Sequence, residues 1–249
     1  MLVDTHCHIH EPDYDLSIDA VLSVARDNGV AEMICVGTSE ESSRQAVAFA
    51  NTHAGIFAAI GVHPHDTKDG YGSIKELAGT SKKIIAVGEI GLDYFYGHSP
   101  RDVQLRALKE QIDIAISNDL PIIFHVREAF DDFWPIFDTY TSIRGVLHSF
   151  TDSHENLQKA LSRGLFIGVN GISTFTKDET QKAVFDSIPL DRLLFETDAP
   201  FLTPVPFRGK INQPAYVRSI AEYHAIRRGI SVVDIASATT ENAKKLFAL

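Results

Sequence analysis

Met1-Leu2-Val3-Asp4-Thr5-His6-Cys7-His8-Ile9-His10 opens the chain. Its first six residues read as a β-strand, and directly after a first strand an open doubly wound sheet carries its glycine-rich nucleotide loop. Here that place holds His6-Cys7-His8-Ile9-His10, with no G-x-G-x-x-G. What it offers instead is a ligand pair. In a strand, residues i and i+2 share a face roughly 6.5 Å apart, so His6 and His8 can converge on one ion while Cys7 faces away. A lone histidine pair also occurs on ordinary surfaces, and the rest of the chain has to decide.

The remaining sequence alternates short β-branched runs with amphipathic stretches. Strands are expected at Met1–His6, Met33–Gly37, Phe57–Gly61, Ile84–Glu89, Ile122–His125, Gly145–His148, Leu165–Val169 and Leu193–Glu196. Helices fit between them at Ser17–Asn28, Glu40–Thr52, Arg101–Asn118, Glu128–Tyr140, His154–Arg163 and Thr180–Ser187, with two more at Ala215–Arg227 and Val232–Leu246. About eight βα units, apolar on both faces, point to an α/β fold of the (β/α)8 TIM-barrel type, in a single domain spanning 1–249. The stretch Thr203–Pro214 is then a long loop after the eighth strand, and loops of that length usually carry function.

Composition narrows the class further. The 249 residues hold only two cysteines, Cys7 and Cys35, both in apolar strand-like segments, which suits reduced thiols and a cytoplasmic, soluble monomer. No run approaches the roughly 18 apolar residues of a membrane span. A net charge of −10 argues against a broad basic face that coats duplex nucleic acid, but not against one phosphate entering a locally cationic pocket.

Placed on a barrel, the polar residues gather at the C-terminal ends of strands, where catalytic groups of this fold sit. His6 and His8 follow strand one, His63 strand three, Glu89 strand four, His125 strand five, His148 strand six, and Glu196 with Asp198 strand eight. Any single one suits a core or loop, but so many strand ends finishing in imidazole or carboxylate point to a metal centre. Six candidate ligands, His6, His8, Glu89, His125, His148 and Asp198, exceed what one tetrahedral ion needs. They suit two divalent ions (zinc, manganese or magnesium) with a hydroxide held between them. With neutral imidazoles such a centre keeps roughly one net positive charge, which welcomes an anionic phosphodiester.

The motifs Asp4-Thr5-His6-Cys7-His8, Gly61-Val62-His63-Pro64-His65, Gly88-Glu89-Ile90-Gly91-Leu92-Asp93-Tyr94, His125-Val126-Arg127, His148-Ser149-Phe150-Thr151, Glu196-Thr197-Asp198-Ala199-Pro200 and Arg208-Gly209-Lys210-Ile211-Asn212 run in order along nearly the whole chain. In them the chain resembles the TatD-like metal-dependent deoxyribonucleases of the amidohydrolase superfamily. The resemblance implies that His6, His8 and Asp198 hold one ion and His125 and His148 the second, with Glu89 bridging. It also implies that Asp198 takes the proton from the attacking water and that His63 and Arg127 meet substrate phosphate, with an ion-ligand role as the alternative for His63 because His63 and His65 repeat the H-x-H spacing; Arg208 either orders its loop or meets substrate phosphate. Many binuclear relatives in this superfamily bridge their ions with a carbamylated lysine; no lysine stands at these strand ends. Thr151-Asp152 departs from the family's usual glycine after the Ser-Phe-Thr turn, which affects loop freedom and not a ligand.

The expected activity is hydrolysis of DNA phosphodiester bonds by a metal-bound hydroxide, as an exonuclease on single-stranded or frayed ends. The rival is a metal-dependent ester or amide hydrolase such as a D-aminoacyl-tRNA deacylase. Tyr94, Phe95, Tyr96 and Phe201 either stack unpaired bases or pack their own loops.

Overall fold

The structure is a computed structural model that describes all residues from 1 to 249. Its strands are β1 (Leu2–Cys7), β2 (Val30–Val36), β3 (Ile56–Ile60), β4 (Ile84–Asp93), β5 (Ile122–Arg127), β6 (Gly145–Leu147), β7 (Phe166–Val169) and β8 (Leu193–Phe195). They follow one another in sequence order in one sheet, the order of a (β/α)8 barrel, as the alternation of periods predicts. The helices are α1 (Ile18–Asp27), α2 (Glu40–Thr52), α3 (Ile74–Leu77), α4 (Arg101–Ser117), α5 (Phe130–Phe137), α6 (His154–Ser162), α7 (Ile172–Phe175), α8 (Glu179–Ser187), α9 (Val217–Arg228) and α10 (Val232–Phe247). No helix is long and apolar enough to cross a membrane.

Backbone contacts group the chain into two compact units. The first joins Met1–Ile34 to His148–Leu249. In it, β8 lies beside β7 in parallel register (Ile167 with Leu193, Val169 with Phe195), and the chain just past β8 returns to β1 through the parallel bridge of Cys7 and Ala199. Helix α10 starts on a cap in which Ser231 Oγ accepts from Asp234 N at 3.0 Å, satisfying an otherwise orphaned amide. It then packs on β1 and β8. Its Asn242 donates to the carbonyls of Leu190 and Leu193, each at 2.8 Å, so a buried amide fixes where β8 begins.

The second unit, Cys35–Leu147, pairs β3 with β4, β4 with β5 and β5 with β6, all parallel. Ring contacts among Phe124, Phe133, Trp134 and Phe137 fill the space between β5 and α5. The largest departure from expectation is β4. It continues past Glu89 to Asp93, with a register shift against β5 between Val87 and Ile90. Gly88 and Gly91 interrupt the side-chain alternation there and hide the strand's second half from a reading by period. Glu89 therefore sits inside a bulged strand, and Asp93 is what ends it.

Candidate metal centre

In the first unit, β1 presents its histidines as the two-residue period requires. His6 Nε2 and His8 Nε2 stand 3.1 Å apart, and Asp198 Oδ1 lies 3.6 Å from the first and 3.4 Å from the second. Two donors bound to one tetrahedral ion at about 2.1 Å stand about 3.4 Å from each other, so this trio has the spacing of an ion's coordination edge. At most one proton fits between two nitrogens that close, so at least one nitrogen lone pair faces the same space as the Asp198 carboxylate oxygen. The residues fit a divalent cation.

The backbone explains the convergence. Asp198 N donates to His6 O at 2.9 Å and His8 N to Ala199 O at 2.7 Å, laying the Glu196–Ala199 segment along the end of β1. Asp4 locks the same seam by accepting from Thr197 N at 2.8 Å and Thr197 Oγ1 at 2.6 Å. Burial pushes the Asp4 carboxyl well above its ordinary range. Besides the amide and hydroxyl of Thr197, Asp4 Oδ1 accepts from His6 N at 3.4 Å. Asp198 holds a left-handed backbone conformation (φ 59°), which short acidic side chains tolerate better than most. Burial alone would raise its carboxyl, but the His8 hydrogen bond and the imidazoles of His148 and His6 outweigh that and hold it below the usual carboxylate range.

His148 stacks on His6, with ring centroids 3.8 Å apart. Its Nδ1 lies 3.1 Å from Glu196 Oε1, which also accepts from Ser149 N at 2.6 Å. Glu196 thus fixes the orientation of His148, the task of a carboxylate behind a metal-ligating histidine. Gly168 makes room for it: a Cβ there would fall 2.4 Å from Glu196 Oε2.

The second unit carries its own trio. His63, Glu89 and His125 bring ligand atoms within 4.8 Å of one another. Glu89 Oε1 is 2.9 Å from His125 Nδ1 and 3.7 Å from His63 Nε2. Burial lowers the basicity of His63, with His125 adding to the effect, so His63 stays a neutral imidazole available to a cation or a phosphate. The other face of His125 is held by Asp93, whose Oδ2 is 2.9 Å from His125 Nε2 and 3.0 Å from His65 Nε2. Burial would raise the Asp93 carboxyl, yet the His125 hydrogen bond dominates and keeps it far below the carboxylate range.

Two further residues position this unit and were not singled out by the sequence. Gln104 and Gln111 of α4 are buried. Gln104 accepts from Asp93 N at 2.9 Å and donates to Asp93 O at 3.0 Å; Gln111 does the same for Val62 N and O at 2.7 and 3.2 Å. Their side-chain amides clasp the chain beside His63 and at the end of β4. The available signal was two amides seven residues apart, one face of a helix.

Of the residues expected to meet phosphate, Arg127 is exposed, with its guanidinium 3.9 Å from the ring centre of Phe95. Arg208 Nη1 donates to Thr203 O at 2.6 Å while its guanidinium sits 3.8 Å over Phe175, so it braces the Thr203–Pro214 loop.

Residues 3–248 match the family model described as TatD related DNase. The chain belongs to this family. It is 39% identical to the uncharacterized metal-dependent hydrolase YabD of Bacillus subtilis, with 99% of each chain covered. It is 33% identical to the 3'-5' ssDNA/RNA exonuclease TatD of Cronobacter sakazakii, over 99% of this chain and 97% of that protein. The crystal structure of YjjV, a TatD homolog from Escherichia coli K12, superposes with a TM-score of 0.92 at 29% identity, covering 100% of this chain and 98% of that one. A TatD-family metal-dependent hydrolase has a use for histidine–carboxylate clusters of this kind.

Proposed function

We propose that this hydrolase removes nucleotides from single-stranded nucleic-acid ends, DNA in the first instance, using two divalent ions. The reading takes the chain as one catalytic domain, monomeric and cytoplasmic. The observation that carries it is the pair of histidine–carboxylate trios, His6/His8/Asp198 and His63/Glu89/His125, in a chain 33% identical to a protein named as a 3'-5' ssDNA/RNA exonuclease.

In this reading His6, His8 and Asp198 hold one ion, and Glu89 and His125 belong to the second. Shared use of Glu89, and of His148 with the second ion, is part of the proposal on the strength of the family motif. The ions, when bound, supply a lowered water pKa and positive charge against the phosphodiester. The chain's own groups do the rest. Asp198, held ionised by the imidazoles around it, accepts the proton of the attacking water. His63 and Arg127 donate to non-bridging phosphate oxygens, and Arg208 steadies the loop after β8 from which it reaches substrate. Glu196 and Asp93 keep His148 and His125 from turning.

The test is protein stripped with chelator, reloaded separately with zinc, manganese or magnesium, and offered an end-labelled single-stranded oligonucleotide, a blunt duplex and a D-aminoacyl ester. Stepwise shortening of the single strand, abolished by chelator, is expected. Turnover of the ester with every oligonucleotide left intact would replace this reading by the deacylase.

A further inference from the structure

Phe95 and Tyr96 follow Asp93 by two and three residues and are half exposed, at 50% and 53%. Exposed rings on a mobile loop would mean little, but this loop is pinned. Asp93 Oδ1 accepts from Phe95 N at 3.0 Å and Tyr96 N at 3.3 Å, and the same carboxylate holds His125 and His65 through Oδ2. On the intervening residue, Tyr94 Oη donates to Asp132 at 2.6 Å, and Asp132 is paired with Arg101. Tyr94 is thereby committed to structure, its hydroxyl pushed up to about 12 by burial and the Asp132 carboxylate. The two rings beside it are left facing water on a backbone that is fixed.

Those rings are also arranged. Phe95 and Tyr96 meet edge to face at 4.6 Å and 86°. Tyr96 stands on His65 at 5.2 Å and 85°, and stacks with His98 at 5.5 Å and 15°. Arg127, at the end of β5, places its guanidinium 3.9 Å from the Phe95 centroid and 5.0 Å from that of Tyr96. A cation over one face of an aromatic ring, with ring surface still open to solvent, is the composition that single-strand binders use: a flat π surface for a base and a positive charge for its phosphate. Burying apolar ring area in water's place drives the contact, and any base supplies a π face, so the surface selects for unpaired bases and not for sequence. The terminal base of a blunt duplex keeps one open face but is fixed by its pairing partner and its stacked neighbour, so it reaches the platform only at the cost of unpairing.

We infer that Phe95, Tyr96 and Arg127 form a stacking platform for an unpaired terminal base, and that this platform makes the enzyme prefer single strands over blunt duplex ends. The inference rests on the nuclease reading and adds to it the residues that set strand preference. It places the base beside the Asp93–His125–Glu89 row, so stacking and phosphate positioning are rigidly coupled.

The experiment compares holoenzyme of the wild type, the double variant F95L/Y96L and the ring-retaining variant F95Y/Y96F. A phosphorothioate single strand ending in 2-aminopurine, which resists cleavage and loses fluorescence on stacking, reports the contact; ordinary single strands and blunt duplexes report kinetics. Quenching is expected with the wild type and F95Y/Y96F and is lost in F95L/Y96L. In the leucine variant KM for single strands rises about tenfold or more, exceeding any fall in kcat, and the preference over duplex shrinks. Wild-type turnover with quenching and KM unchanged in F95L/Y96L would overturn the platform alone. If the wild type cuts no oligonucleotide under any ion, the nuclease reading fails and the platform with it.

Discussion

A carboxylate beside an imidazole both balances charge and sets the ring's orientation, and Glu89 lies beside two imidazoles. It is buried, with Oε1 2.9 Å from His125 Nδ1 and 3.7 Å from His63 Nε2. E89A should lower hydrolysis by at least about a hundredfold and reduce bound metal, read by elemental analysis of dialysed protein. Full metal content together with full activity in E89A would remove Glu89 from the centre. At this scale the sequence is most legible where strand geometry alone decides. His6 and His8 share a face because the period of a strand is two, and Cys7 between them turns away to bond Ile34 O through its thiol at 3.5 Å. Legibility fails where the period is broken. Asp93 suits a turn as well as a site when read from the sequence, because Gly91 and the bulge obscure that β4 reaches it. Asp4 has the right parity for an imidazole, but its nearest strong donor is Thr197, which comes from the far end of the chain.

Elements place these side chains by how closely their backbones approach. At Gly91, in the bulged half of β4, a Cβ would fall 1.7 Å from the carbonyl oxygen of His125, so β4 can run against β5 there only with glycine. G91A should therefore cost several kcal/mol, about 3 or more, and loosen metal held by Glu89 and His125. A fall in thermal midpoint together with weaker metal affinity checks this; wild-type values for both would show that the strands need not lie so close. Helix α9 carries a second test, remote from the ligands. His224 is fully buried, with Nε2 2.9 Å from Ser173 Oγ of α7, and burial lowers its pKa to about 3. The unfolded chain takes up a proton below about 6.5 that the folded chain refuses. Stability is therefore intact above that pH and drains away as pH falls toward 3, by up to roughly 5 kcal/mol. H224Q should flatten this acid limb, so that the shift in urea midpoint between pH 7 and pH 4.5 is smaller than in the wild type. Parallel shifts would mean that His224 is not held neutral. The longer helices themselves were legible from periodicity: Glu40–Thr52 is found at its expected bounds, with Ser39 as its cap. Gln104 and Gln111 were not, because an amide on a helix face says nothing about which backbone it will clasp until the strands are in place.

Over the whole molecule, charge decides how a polyanion is received. Asp and Glu outnumber Lys and Arg by 33 to 23, for a net charge of −10. A strand of nucleic acid approaching such a surface is repelled at distances within the Debye length, about 8–10 Å at moderate salt, so attraction has to come from a few local cations. Arg127 and Arg208 are the two protein cations assigned to phosphate, and both are already seated on aromatic rings, which leaves little scope for recruiting many phosphates. Single-strand affinity falls with salt with a slope of about −0.7 per phosphate neutralised. Two such contacts therefore give a slope of about −1 to −2 in a plot of log affinity against log salt, where a protein that coats a duplex through many contacts gives a slope several times steeper. Fluorescence binding of a phosphorothioate single strand between about 50 and 200 mM salt, at fixed metal concentration, measures it. Removing one of the two cations, as in R208Q, should reduce the slope by about 0.7 without altering the preference for unpaired ends, because that preference is assigned to Phe95, Tyr96 and Arg127. A slope steeper than about −4 would require many more phosphate contacts than these two cations make, and would overturn the picture of an acidic enzyme that grips only a strand's end.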